Sequence, residues 1–267
     1  MRERGPGPAD PPRACAAAAV LERDVDARDR PPERESLDGG RWLEPADLVQ
    51  NLDDLAAIKR WLGYGGGLCR TLQPLLRSLR GQDGLLLDVA AGGADIAGAL
   101  ARWAMKAGVA LRTVAIDRHP QVAVEARSRT AGLPGVAIVQ GDALHLPLAT
   151  ASVDVAHCSF SLHHFAWGEA RALLGEMRRV ARRGLIVADL SHSRVGYWAA
   201  QILFGLWGCR HRLSRHDGLL SMRRAYSPRE VIRLAAEAGL ERPAVRRGPF
   251  RFVLLAPEPA FRNAWWG

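Results

Sequence analysis

The spacing of apolar positions along this chain changes period repeatedly, and the changes mark out its elements. From Leu85 the run Leu85-Leu86-Leu87-Asp88-Val89-Ala90 is apolar without alternation, the pattern of a strand covered on both faces in a parallel sheet. Similar runs at Leu111 to Ile116, Val136 to Gln140, Val153 to Ser159 and Gly184 to Leu190 are separated by helical spacing at Asp95 to Ala107, Pro120 to Ala131 and Glu169 to Arg182. Strand alternating with helix predicts an α/β fold with a doubly wound, mostly parallel sheet. Ser227-Pro228-Arg229-Glu230 reads as a capping box that opens a further helix running to Gly239. Strands at Ala244 to Arg247 and Phe250 to Ala256 flank Gly248-Pro249 and predict an antiparallel hairpin, which completes a seven-stranded sheet.

Outside this alternating core the pattern changes. Leu48, Leu52, Leu55, Ile58, Trp61 and Leu62 recur at helical spacing, and Gly65-Gly66-Gly67 reads as a break before a second helix, so two N-terminal helices are expected beside the core. Residues 1–40 mix Pro, Arg, Asp, Glu and Ala with few large apolar side chains, a composition that cannot offset the entropy of ordering, and disorder is expected. Residues 191–226 form an insertion in which Trp198, Ile202, Leu203, Leu206 and Trp207 make an apolar helical face, expected to act as a lid. The resulting division is a tail at 1–40, a helical lead-in at 41–80, the main domain at 81–258 interrupted by the lid, and a C-terminal tail at 259–267.

Composition narrows the function classes. The net charge of +9 and pI near 10.3 would ordinarily point to a polyanionic partner, but the only lysines are Lys59 and Lys106 and the arginines are scattered. Arginine pairs such as Arg178-Arg179 and Arg246-Arg247 build no long basic run interleaved with aromatics, so a solvated surface is favoured over a nucleic-acid footprint. Cys15, Cys69, Cys158 and Cys209 contain no Cys-x-x-Cys pair, which argues against a disulfide framework or zinc knuckle and fits a reducing cytoplasm. Cys209, His211 and His216 match no standard metal spacing, and no metal is expected. The apolar stretches Ala14 to Leu21 and Trp198 to Trp207 are too short to span a bilayer.

The loop after the first strand carries the chemistry. In an open α/β sheet the ligand binds beyond the carboxyl ends of the strands, where glycine lets backbone approach it and the following helix offers free N–H groups. Asp88-Val89-Ala90-Ala91-Gly92-Gly93-Ala94-Asp95 stands there. A dinucleotide fingerprint needs a small helix-packing residue where this chain has Asp95. A carboxylate at that place, with Asp88 at the strand end, suits instead a cofactor with a cationic sulfonium and an amino group. Asp117 closes the second strand, where a carboxylate can accept both ribose hydroxyls, and Gly141-Asp142-Ala143 after the third offers an acceptor for an adenine amino group and an N–H for a ring nitrogen.

Together with Leu146-Pro147-Leu148, Ser152-Val153-Asp154-Val155-Ala156 and Cys158-Ser159-Phe160-Ser161-Leu162-His163-His164-Phe165, this ensemble resembles the class I S-adenosylmethionine-dependent methyltransferases of the ubiquinone and menaquinone biosynthesis type, over about Leu85 to Asp189. The resemblance implies a Rossmann-like methyltransferase fold and S-adenosyl-L-methionine as cofactor. It implies that Ala90, Ala91, Gly92 and their neighbours line the methionine portion, that Asp117 with Arg118 beside it holds the ribose, that Asp142 and Ala143 hold the adenine, and that Ser159 lies next to the cofactor. Ala90 and Ala94 stand where that family usually has glycine.

Methyl transfer is an in-line displacement, so the protein supplies alignment, exclusion of water and, for a hydroxyl acceptor, a base. His163 and His164 lie just past the fourth strand, and a neutral imidazole there can take a phenolic proton. His216 and Asp217 are second candidates, in a His216-Asp217-Gly218 stretch that, with Asp189-Leu190-Ser191-His192-Ser193-Arg194, resembles a subgroup of bacterial small-molecule methyltransferases; Arg194 is a candidate to hold an acidic group. A lid combined with Trp61 and Tyr64 of the lead-in would enclose a small hydrophobic acceptor, aromatic, quinone-like or polyketide, of the kind found in secondary metabolism. The rival readings are an RNA or DNA methyltransferase and a non-catalytic binding module. Against the first, Ser159-Phe160-Ser161-Leu162 stands where base amino methyltransferases carry an Asn/Asp-Pro-Pro-aromatic segment. A homodimer stays open as the assembly.

Overall fold

A computed structural model describes residues 42–61, 63–78, 83–192, 218, 220–248 and 250–262 of the chain. The tail at 1–40 and all but the ends of the insertion, including Trp198 to Trp207, His216 and Asp217, lie outside the described residues.

Seven strands form one sheet in the order β3-β2-β1-β4-β5-β7-β6. They are β1 (Gly84–Val89), β2 (Leu111–Asp117), β3 (Val136–Gln140), β4 (Val153–Ser159), β5 (Ala181–Leu190), β6 (Ala244–Gly248) and β7 (Arg251–Pro257). β1 to β5 are mutually parallel, while β7 runs antiparallel to β5 and to β6, so the expected hairpin is present and inserts β7 beside β5. The chain order reverses between β1 and β4, which leaves a crevice at the carboxyl ends of those strands.

The helices are α1 (Pro45–Trp61), α2 (Tyr64–Ser78), α3 (Asp95–Ala107), α4 (Pro120–Thr130), α5 (Trp167–Val180) and α6 (Pro228–Glu237). Successive strand residues feed opposite faces. Leu87 and Val89 pack with Leu173, Leu174 and Met177 of α5 and Leu234 of α6, whereas Leu86 packs with Leu68 and Leu72 of α2 and Leu100 of α3. Both faces are thereby dry, which is why the strand runs show no alternation.

Local signals explain most boundaries. Ser227 accepts the Glu230 N–H at 3.3 Å while Glu230 Oε2 accepts the Ser227 N–H at 2.6 Å, the reciprocal cap read from the sequence. α5 departs from the expected 169–182 by starting at Trp167 and ending at Val180. Glu169 reaches back to the Ala166 N–H at 2.9 Å and sets the start. At the other end, Arg182 and Arg183 are drawn into β5 by Asp154, whose Oδ1 accepts their Nε–H groups at 2.9 and 2.7 Å and whose Oδ2 accepts the Leu85 N–H at 2.8 Å.

The lead-in helices form as expected, but the break falls elsewhere. Gly63, at φ +64°, makes the left-handed turn, and Gly65-Gly66-Gly67 lie inside α2. A Cβ on Gly65 would stand in ordinary contact, 3.5 Å, with the Ala99 Cβ of α3, so this position faces α3 rather than making a turn. α1 docks on α4 through Leu48 and Leu52 against Val122, and the Gln121 amide exchanges two bonds with the Leu43 backbone at 2.9 and 3.0 Å. At the chain's other end, Pro259–Phe261 form a short 3-10 turn whose Phe261 ring lies under the Arg183 guanidinium at 4.8 Å.

Asp154 is nearly fully buried, and burial pushes its carboxyl up, but the Arg182, Leu85 and Arg183 donors outweigh this and hold it below the usual carboxylate range. A depressed folded-state pKa contributes stability that is complete above about pH 4 and is lost as the pH falls through the folded value. Asp154→Ala is expected to cost about 3 kcal/mol in denaturant unfolding at pH 7, and to flatten the acid limb of the stability-pH curve relative to wild type.

Candidate cofactor and active site

The loop 90–94 is built from strained backbone. Ala90, Gly92 and Ala94 all sit at positive φ, at 51°, 56° and 56°. For alanine the left-handed conformation costs roughly 1–2 kcal/mol per residue, so the two alanines anticipated at glycine-like positions are indeed the ones forced into it. Such strain persists only where the surroundings over-determine it. Here Asp117, at the end of β2, accepts the Gly92 N–H on Oδ2 at 2.8 Å and the His119 N–H on Oδ1 at 3.0 Å. Ala91 N–H bonds the Ile116 carbonyl at 3.0 Å, and Ser161 Oγ lies 3.0 Å from the Ala90 carbonyl.

Each anticipated cofactor residue has a definite place. Asp117 is half-buried at the sheet edge, and a carboxylate holding one N–H on each oxygen retains one lone pair on each for a vicinal diol. Arg118 beside it is exposed. Asp142 is exposed beyond β3, accepts the Leu144 N–H at 2.9 Å and faces His145 Nδ1 at 3.3 Å; the backbone bond and then His145 hold its carboxyl below the usual range. Ala143 is buried behind it, and Glu176 and Arg179 of α5 pin the following turn through Leu146 and Leu148. Ser159 closes β4 and is buried. Asp95, the first residue of α3, lies 3.6 Å from Lys59 Nζ of α1 and 4.0 Å from Arg129 Nη1, so protein cations already face its charge.

Asp88 departs most from the sequence picture of a carboxylate standing at the open crevice. It is almost fully buried between β1 and β4, with Oδ1 3.1 Å from His157 Nδ1; His157 Nε2 in turn lies 2.8 Å from the Tyr64 hydroxyl of α2. Asp88 Oδ2 is buried and has no hydrogen-bond partner among the described residues. A buried unpartnered acceptor ordinarily costs ~1–3 kcal/mol, so it calls for a ligand or ordered water.

The candidate bases separate. His163 is buried, with Nδ1 2.7 Å from Asp189 Oδ1, and its N–H donates to Asp189 Oδ2 at 2.9 Å. Asp189 comes from β5, so this pair joins the 3-10 turn Leu162–His164, which follows β4, to the carboxyl end of β5. The His164 ring packs against that of His163 at a tilt of 32°, centroids 4.3 Å apart, and its carbonyl accepts from Arg224. His157 and Lys59 escaped the sequence reading as site residues, while Tyr64 entered it only as part of an acceptor enclosure and Asp189 only within a motif. For His157 and Asp189 a signal was present, since both are polar residues inside apolar strand runs. Among the described residues no group of His, Cys, Asp or Glu is arranged to hold a metal, and no helix is long and apolar enough to cross a membrane.

Residues 86–184 match the family model described as Methyltransferase domain. Over 213 residues the chain is 30% identical to an uncharacterised 37.1 kDa protein of transposon Tn4556 from Streptomyces fradiae, covering 77% of this chain and 56% of that protein, so it spans about half the relative's length. In three dimensions it resembles a SAM-dependent methyltransferase from Aquifex aeolicus, with TM-score 0.51, 19% identity and coverage of 81% of this chain and 99% of that one. It also resembles the CurJ carbon methyltransferase, with TM-score 0.56, 12% identity and coverage of 80% and 61%. The fold is that of the Rossmann-like methyltransferases, residues 86–184 match a methyltransferase domain, and S-adenosylmethionine is the cofactor such a site takes.

The residues present fit that cofactor: a half-buried carboxylate with paired lone pairs for a diol, a buried carboxylate oxygen lacking a partner for an ammonium, and glycine-rich backbone between them. Asp117→Ala is expected to weaken S-adenosylhomocysteine binding about ten- to a hundredfold by calorimetry, through loss of the diol acceptor and of the anchor on Gly92; unchanged affinity would remove Asp117 from the site.

Proposed function

We propose that the protein methylates a small hydrophobic acceptor with an acidic hydroxyl, of aromatic, quinone-like or polyketide type, as the quinone-biosynthesis-like methyltransferases do, with His163 as the general base. The observation that carries this reading is the buried His163–Asp189 pair, 2.7 Å between Nδ1 and Oδ1, at the crevice end of β4 and β5. A carboxylate that already accepts the His163 and Leu190 N–H groups is held as an acceptor, so the ring's Nδ1 carries hydrogen toward it. That tautomer leaves the basic lone pair on Nε2.

The bound cofactor supplies a methyl group made electrophilic by the adjoining sulfonium. The protein's part is to orient the acceptor, to take its proton at His163 Nε2 and to stabilise the resulting imidazolium through Asp189. The negative charge 2.7 Å away favours the protonated ring and holds its plane in place. His164, packed at a tilt against the same ring, restricts its rotation. Phe160, at φ +53° and edge-on to Tyr64 at 5.2 Å, brings an aromatic face to the same end of the crevice and favours an apolar acceptor.

His163→Ala is expected to lower kcat toward a phenolic acceptor by about 10²–10⁴-fold while S-adenosylhomocysteine affinity stays within twofold of wild type, about the span that general-base catalysis contributes. Asp189→Asn should lose a large part of the same factor, because an amide can leave the ring in the other tautomer. Full turnover by both His163→Ala and His164→Ala would exclude a histidine base at this place.

A further inference from the structure

A second buried imidazole lies on the opposite side of β4 from the solvent-directed chemistry, and nothing in base catalysis requires it. Tyr64, His157 and Asp88 are all nearly fully buried and joined end to end: Tyr64 Oη to His157 Nε2 at 2.8 Å, His157 Nδ1 to Asp88 Oδ1 at 3.1 Å. The pairing across the strands is dictated by register, since Asp88 and His157 are directly opposed in the β1–β4 ladder. Hydrogen counting orients the chain. Among the described residues the Tyr64 hydroxyl has no other acceptor, so it donates to Nε2; a ring that accepts at Nε2 carries its hydrogen at Nδ1 and donates it to Asp88. Burial foremost, then the negative charges of Asp88 and Asp189 among others, pushes the Tyr64 hydroxyl well above its ordinary value, so it keeps its proton. The outcome is a carboxylate satisfied on one oxygen only, two residues before the strained loop, with Oδ2 buried and unpartnered.

We propose that Tyr64 and His157 are positioning residues for the cofactor site: by fixing the orientation of Asp88 from α2, they leave its second oxygen as the acceptor for the ammonium of the cofactor's amino-acid portion, directly or through one water, and so tie docking of the lead-in helix to cofactor binding. This rests on S-adenosylmethionine as the cofactor. A merely structural pair would be served as well by apolar residues, which would leave no buried acceptor to satisfy. The side chain supplying the hydroxyl comes from outside the span 86–184 matched as a methyltransferase domain, so the device belongs to this chain's own lead-in.

The test uses the full chain and S-adenosylhomocysteine in calorimetry, at a temperature where each variant retains its near-ultraviolet circular dichroism. Tyr64→Phe, which removes one oxygen, is expected to weaken binding about fivefold, and to raise KM for the cofactor with kcat nearly unchanged. His157→Leu, which leaves both Asp88 oxygens unpartnered, is expected to weaken it more than about tenfold, and His157→Asn, which restores a donor toward Asp88, to recover the Tyr64→Phe level. Nitrogen-15 spectra of the wild-type chain should show His157 as the neutral ring with hydrogen on Nδ1. Wild-type affinity in both Tyr64→Phe and His157→Asn, or a His157 hydrogen on Nε2 alone, overturns the positioning role while leaving the cofactor reading intact. A wild-type chain that binds no S-adenosylhomocysteine overturns the cofactor reading, and the proposal with it.

Discussion

The bond from the Gly92 N–H to the Asp117 carboxylate is the interaction on which the site depends. A parallel sheet dry on both faces has one place for polar chemistry, the loops at the carboxyl ends of its strands, and the loop after β1 must turn there through three left-handed residues. Two of them are alanines, each costing roughly 1–2 kcal/mol in that conformation. A hydrogen bond to a carboxylate contributes about 1.5–3 kcal/mol, enough to offset one such residue and, with the Ala91 and Ser161 bonds, most of both. The same carboxylate that holds the loop keeps one lone pair on each oxygen beyond its bonds to Gly92 and His119.

Among the described residues the interior contains two imidazole–carboxylate pairs, set on different elements. His163–Asp189 joins the turn after β4 to β5. His157–Asp88 joins β4 and β1, with Tyr64 of α2 on the far side of the ring. A third buried carboxylate, Asp154, lies near the amino end of the central strand β4, where two guanidinium groups and a backbone donor bond both its oxygens. Asp88 alone of the three has an oxygen left over, and burial makes that remainder costly unless something binds it.

The lead-in helices are part of this arrangement rather than an appendage. Arg129 of α4 reaches Asp53 of α1 at 2.9 Å, Glu125 of its own helix at 2.8 Å and, more distantly, Asp95 at the start of α3, while Lys59 of α1 faces the same Asp95. The two lead-in helices therefore reach the start of α3 through the Lys59 charge of α1 and the core of the sheet through Tyr64 of α2.

Much of this was written in local pattern. Unbroken apolar runs showed strands buried on both faces, the Ser227-Pro228-Arg229-Glu230 box placed a helix start to the residue, and the carboxylates of Asp117 and Asp142 stood at strand ends where chain order alone puts them. Where local pattern misplaced a boundary, contacts distant in sequence accompany the shift: Asp154 binds Arg182, read as helical, and Arg183 within β5, and Gly63 supplies the turn while Gly65 faces Ala99 inside α2. The pairing of Asp88 with His157, of His163 with Asp189 and of Tyr64 with His157 belonged to the tertiary structure alone. Those partners lie 26 to 93 positions apart, and only strand register and helix docking, which depend on the whole core's packing, decide which polar side chains meet away from water.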